Sequence, residues 1–113
     1  MEIDITAERA AELMGSGACV VDVRRQYEWD AGRIPSASHI EMNDLADGAE
    51  SVPRDRPVVF YCRSGSRSAL AAAAFRQAGW DAYNLEGGLE RWVERGGELD
   101  PPDGEVAAPR PGA

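Results

Sequence analysis

Two near-continuous apolar runs, Ala18-Cys19-Val20-Val21-Asp22-Val23 and Pro57-Val58-Val59-Phe60-Tyr61, constrain the fold of this chain more than any other feature. A strand with one face in water alternates apolar and polar residues. Runs without that alternation, rich in β-branched side chains, suit strands covered on both faces, as in a parallel sheet. Asp81-Ala82-Tyr83-Asn84-Leu85 reads as a shorter third strand, and the residues around Ile3 and Ile40 supply two more candidates.

Helical segments fall between these runs. Thr6 is placed to cap a helix over 7–14 that Gly15 and Gly17 end. Residues 25–31 read as a short helix stopped by Gly32. The alanine-rich stretch 66–78 is the clearest helix, with Leu70, Ala74, Phe75 and Ala78 as its expected apolar stripe and Gly79 at its end. Leu89, Trp92 and Val93 mark a last helix closed by Gly96 and Gly97. Strands alternating with helices predict a three-layer α/β/α domain around a central, mostly parallel, five-stranded sheet.

A chain of 113 residues, 43% hydrophobic, supports one packed core. The composition turns acidic and rich in proline and glycine from residue 98, so the reading is one domain over 1–99 and a disordered tail over 100–113. The opening residues carry no secretory signature and no stretch approaches the ~18 apolar residues of a membrane span. The expectation is a cytoplasmic, monomeric protein without membrane contact. Its two cysteines, Cys19 and Cys62, are then free thiols, and with a single histidine they are too few for a zinc site. The net charge of -8, with arginine as the only basic residue type, argues against a nucleic-acid partner.

The segment that carries chemistry is Tyr61-Cys62-Arg63-Ser64-Gly65-Ser66-Arg67-Ser68, between the most buried strand and the clearest helix. Ligands of open α/β sheets bind beyond the carboxyl ends of the strands, where Cys62 falls. The small residues after it let the backbone curl and turn its N–H groups inward as an anion nest, and the helix starting near Ser66 directs its positive end to the same space. Arg63 and Arg67 add positive charge. Such surroundings lower a cysteine pKa, so Cys62 is expected to be a thiolate at neutral pH, needing no histidine base.

Three segments together resemble the rhodanese family over residues 3 to 97. Val21-Asp22-Val23-Arg24, Glu28 and the run Gly32-Arg33-Ile34-Pro35-Ser36-Ala37-Ser38-His39-Ile40 resemble its first signature; Cys62 to Arg67 resembles its six-residue active-site loop; Asn84-Leu85-Glu86-Gly87-Gly88, with Trp92 and Gly96, resembles its last. Arg33 and Ser36 depart from it, standing where the family usually has histidine and glycine. The resemblance implies a sulfurtransferase in which Cys62 takes a sulfane sulfur from an anionic donor, thiosulfate or a persulfide, and hands it to a thiol, cyanide or protein acceptor. Arg63, Ser64, Gly65, Ser66 and Arg67 would bind the substrate. No metal or organic cofactor is required.

Other residues carry plainer readings. Cys19 lies three residues before the end of its strand, about 10 Å below the edge at ~3.3 Å per residue, and is read as core packing. Asp22, Arg24 and Glu28 are read as supports that fix loops. Arg67 suits both a structural clamp and a substrate contact. His39 is read as non-catalytic, and Trp29, Trp80 and Trp92 as packing. The rival activities are a cysteine phosphatase or arsenate reductase, disfavoured because four residues rather than five separate Cys62 from Arg67. A regulatory binding module or a sulfur relay to a protein partner is the alternative from a different class.

Overall fold

The structure, a computed structural model, describes residues 2–110. Its elements in chain order are β1 (Asp4–Ile5), α1 (Ala7–Gly15), β2 (Cys19–Asp22), α2 (Gln26–Ala31), β3 (Ser38–His39), α3 (Leu45–Gly48), β4 (Val58–Tyr61), α4 (Ser66–Gln77), β5 (Ala82–Leu85) and α5 (Gly88–Glu94). Short 3-10 turns over Met42–Asp44 and Ala49–Ser51 flank α3. The strands form one sheet in the order β1-β5-β4-β2-β3, with every pairing parallel.

Covering both faces of β4 explains its unbroken apolar run. Val58, Phe60 and Cys62 point into one core with Ala71, Ala72 and Phe75 of α4, Leu45 of α3 and Trp80; Val59 and Tyr61 point into the other with Ala7 and Ala10 of α1 and Leu89 and Trp92 of α5. Helices therefore lie on both sides, giving the three layers expected. The first core is centred on an aromatic cluster in which the Phe75 ring sits 4.8 Å from Phe60, tilted, and 4.7 Å from Trp80, edge to face. Burying each such side chain contributes roughly 1.5–3 kcal/mol.

One expectation about α4 fails in its rotation. Leu70 is 70% exposed and Ala74 and Ala78 also face solvent; the buried residues of α4 are Ser68, Ala71, Ala72 and Phe75. The spacing is helical, but small side chains let α4 settle close to the sheet, and the hydrogen bonds of Ser68 select that face. Val93, expected in the stripe of α5, is likewise 39% exposed.

Residues 100–110, expected to be disordered, make specific contacts in the structure. The backbones of Arg33 and Asp100 exchange hydrogen bonds of 3.1 and 2.8 Å, Glu105 N–H donates to Ala31 O at 2.9 Å, and Val106 packs against the second core. Residues 111–113 of that segment lie outside the described residues. Ser36, at the position the family usually gives to glycine, has φ 71° and is the one described residue other than glycine in the left-handed region.

Among the described residues, no helix is long and apolar enough to cross a membrane.

Candidate active site

Cys62 is the first residue beyond β4, at the carboxyl edge of the sheet, and is 0% exposed. The chain turns back through Gly65, whose φ of 100° is open chiefly to glycine, and enters α4. That turn brings the Gly65 N–H to 3.1 Å from Cys62 Sγ, while the Ser68 hydroxyl lies 3.4 Å away. The loop is also gripped from the later chain: Leu89 N–H donates to Cys62 O at 2.9 Å and Glu90 N–H to Arg63 O at 3.1 Å, so the first turn of α5 holds the loop's carbonyls. Gly88 permits this approach, since a Cβ there would fall 2.5 Å from Arg63 O and 2.6 Å from Cys62 O.

Burial alone would push the Cys62 thiol up. Hydrogen bonds from the Ser68 side chain and backbone and from the Gly65 N–H, with the charge of Arg67, outweigh it and hold the thiol below its ordinary value. Cys19 has no such donors: burial raises its thiol, against a weaker lowering by Arg56. Both cysteines are free.

Two ion pairs frame the loop. Arg24 and Asp22, both 0% exposed, form a bidentate pair with contacts of 2.7 to 3.0 Å, and Arg24 Nη2 also donates to Gly32 O at 2.7 Å. This ties the end of β2 to the end of α2. Glu28, 2% exposed, accepts from both terminal nitrogens of Arg67 at 2.9 and 3.0 Å and from the Arg25 N–H at 3.1 Å. Burial raises the Glu28 carboxyl, but the Arg67 hydrogen bond, with the Arg25 N–H and the nearby arginine charges, brings it below the usual carboxylate range. His39 stacks on Trp29 and donates from Nε2 to Arg24 O at 2.7 Å, away from the thiol.

Above the loop lies a cavity of about 460 Å³ lined by loop residues Arg63, Ser64, Ser66 and Arg67, by Arg25, Tyr27 and Glu28, and by Pro109 and Arg110 of the segment after α5. Cys62 is not itself part of the lining. The sequence-predicted residues Cys62 to Arg67 are thus brought together, with Glu28 joining them through Arg67, while Asp22 and Arg24 stand behind as a separate buried pair. Arg67 touches Glu28 with both terminal nitrogens, which is a clamp geometry. Arg63 pairs with Glu90 at 3.0 Å.

Sequence reasoning missed Ser68, Asn84 and Arg110. Ser68 Oγ lies 2.6 Å from Asn84 Oδ1, and Asn84 Nδ2 donates to Asp4 Oδ1 at 3.0 Å and Gly65 O at 3.3 Å. The signals were present: a serine in the first turn of α4, where backbone donors have no helical partner, and an asparagine inside an otherwise apolar strand. Among the described residues, no group of three His, Cys, Asp or Glu side chains is arranged to hold a metal ion.

Fold and site together define a parallel α/β domain that presents a cysteine, cradled by backbone donors, at the carboxyl edge of its sheet. A model of the rhodanese-like domain matches residues 6–95, and the chain belongs to that family. It is 39% identical over 89 residues to the thiosulfate sulfurtransferase GlpE of Pseudomonas aeruginosa (strain LESB58), covering 78% of this chain and 81% of that protein. A rhodanese-related protein from Thermoplasma volcanium superimposes with a TM-score of 0.80 at 29% identity, covering 85% of this chain and 95% of the other. A protein of unknown function from Rhodopseudomonas palustris CGA009, described as a possible tyrosine phosphatase, superimposes with a TM-score of 0.76 at 30% identity over 87% of this chain and 84% of its own.

Proposed function

We propose that the protein is a cytoplasmic thiosulfate sulfurtransferase whose sulfur carrier is Cys62. The observation that carries this reading is the hydrogen bonding of Cys62 Sγ by Gly65 and Ser68, which holds the thiol below its ordinary value. The likeness to a thiosulfate sulfurtransferase over 78% of the chain supports the choice of donor.

In the first step the Cys62 thiolate attacks the outer sulfur of thiosulfate. The S–S bond of thiosulfate breaks, sulfite leaves with the electron pair, and Cys62 becomes a persulfide. In the second step a nucleophile, a thiolate or cyanide, attacks the terminal sulfur and releases the Cys62 thiolate. The Gly65 N–H and the Ser68 donors stabilise the negative sulfur at both stages. Arg67 contributes positive charge while Glu28 fixes its position. Phosphate-ester chemistry is disfavoured by the loop length, since four residues rather than five separate Cys62 from Arg67.

The test is intact-protein mass spectrometry after incubation with thiosulfate, beside the Cys62→Ser variant. A gain of one sulfur on the wild type alone, lost on adding cyanide or a thiol, is the expected result. No gain from thiosulfate would overturn the enzyme reading and favour a regulatory or relay module.

A further inference from the structure

The segment after α5 is built against the domain at several separate points. Trp92 Nε1 donates to Glu98 O at 2.8 Å, Leu99 and Val106 pack against the second core, and the Arg33–Asp100 backbone pair is reinforced by a 3.7 Å ion pair between their side chains. Arg33 also lies over the Trp29 ring at 4.7 Å. This arginine stands where the family usually has histidine, so a departure from the family pattern is what receives the segment. Gly32 lets the backbone come close, for a Cβ there would meet Glu105 O at 2.7 Å.

These anchors deliver Arg110 to the mouth of the cavity. Its backbone N–H donates to Tyr27 OH at 3.1 Å and its guanidinium lies 4.0 Å from the centre of the Tyr27 ring. The cavity lining holds four arginines and two glutamates. Arg63 is paired with Glu90 and Arg67 with Glu28. Among the described residues, Arg25 and Arg110 have no carboxylate within 4.0 Å, leaving them opposed within the lining by Glu41 alone. Among the described residues, two guanidinium groups without a carboxylate partner thus face one cavity on a chain of net charge -8.

We propose that residues 98–110 form a strap that completes the wall of the cavity, and that Arg110, seated on Tyr27, forms with Arg25 an anion subsite for the oxyanion end of the sulfur donor. The choice of ligand rests on the sulfurtransferase reading; the existence of the subsite does not. A sulfonate group has three oxygens to accept from guanidinium donors, and bound at the mouth it would leave the outer sulfur directed toward the loop. Arg110 is thereby a specificity residue contributed by a segment outside the matched domain, and Tyr27 is its positioning residue.

The experiment measures thiosulfate binding calorimetrically to Cys62→Ser protein, which cannot turn over. Arg110→Ala is expected to weaken binding roughly three- to tenfold, the range of a partly exposed charged contact, and Arg110→Lys to restore part of it. Tyr27→Leu should weaken binding to a similar degree, and the double variant should lose little more than either single one. Unchanged affinity in Arg110→Ala, or no binding of thiosulfate with the strap intact, would overturn the subsite. Arg110-dependent binding to Cys62→Ser in a protein whose wild type gains no sulfur would sustain the subsite and sink the sulfurtransferase reading. Sulfur transfer that is indifferent to Arg110 would do the reverse.

Discussion

The hydroxyl of Ser68 stands between two acceptors, 2.6 Å from Asn84 Oδ1 and 3.4 Å from Cys62 Sγ, and it has one proton to give. The amide of Asn84 is oriented by Asp4 and Gly65, which take its Nδ2 protons, so Oδ1 is fixed toward Ser68. Asn84 therefore competes with the thiolate for the Ser68 proton. Asn84→Ala should release that proton to sulfur and lower the Cys62 pKa further, whereas Ser68→Ala should raise it. Titration by the ultraviolet absorbance of the thiolate in a Cys19→Ala background reads both shifts. Equal movement in the same direction would rule out the competition. The Asn84 variant should also lose about 1–3 kcal/mol of stability, the usual cost of leaving buried polar groups unpaired.

Acid should act on the Glu28–Arg67 pair. Because the Glu28 carboxyl lies below its ordinary value in the folded protein, its contribution is fully present above the unfolded-state pKa, ~4.3, and is lost as pH falls through the folded value. Glu28→Gln should cost about 1–2 kcal/mol at neutral pH, a moderate figure because Arg67 is partly exposed and regains water. Denaturant titrations of the two proteins should converge as pH drops below the folded value. A gap that persists there would mean the glutamate acts through shape and not charge.

Gly88 is the point at which α5 closes on the loop from Cys62 to Arg67. Its φ of 61° and the 2.5 Å separation from Arg63 O that a Cβ would have make Gly88→Ala incompatible with the loop as built. A displacement of the order of 1 Å at Cys62 should slow persulfide formation about 100-fold. Gly96→Ala is the control: it shares a positive φ, but nothing lies within 4 Å of its Cβ position, so it should unfold somewhat earlier while keeping its rate. Stopped-flow measurement of sulfite release separates the two.

Ser36 holds a left-handed conformation at φ 71° without glycine's freedom. Such a residue is strained by roughly 1–2 kcal/mol and the extra chain entropy of glycine costs roughly 0.5–1 kcal/mol, so Ser36→Gly should raise stability by about 0.5–1 kcal/mol. Thermal unfolding with unchanged transfer kinetics is the expected signature. A lower midpoint would show that the serine side chain contributes more than its backbone costs.

Most of the framework was legible in the sequence because burial on both faces leaves a direct imprint: β2 and β4 announced themselves as near-continuous apolar runs, β5 as a shorter strand, and Gly17, Gly79 and Gly96 followed the ends of helices where expected. The loop from Cys62 to Arg67 was legible from its residue types and its place between a strand and a helix. What escaped were relationships across the fold. Nothing local shows that Ser68 outranks Leu70 for the buried face of α4, since that choice is made by Asn84, sixteen residues on. The role of Gly88 depends on carbonyls at Cys62 and Arg63. An acidic, proline-rich segment looks unstructured by composition, and its contacts depend on Gly32 and Arg33 lying where Glu105 and Asp100 arrive.

β1 finds its sheet partner in β5, with Asp4 opposite Asn84 and Ile5 opposite Leu85. During synthesis at ~5–20 residues per second, the seat for the first strand emerges on the order of ten seconds after that strand has been made. Over that interval Ile5 has no edge to join, and Asn84, which settles the proton of Ser68, does not yet exist. Cys62 is thus translated before Asn84, Leu89 and Glu90, the residues that order its loop from the later chain, have been made.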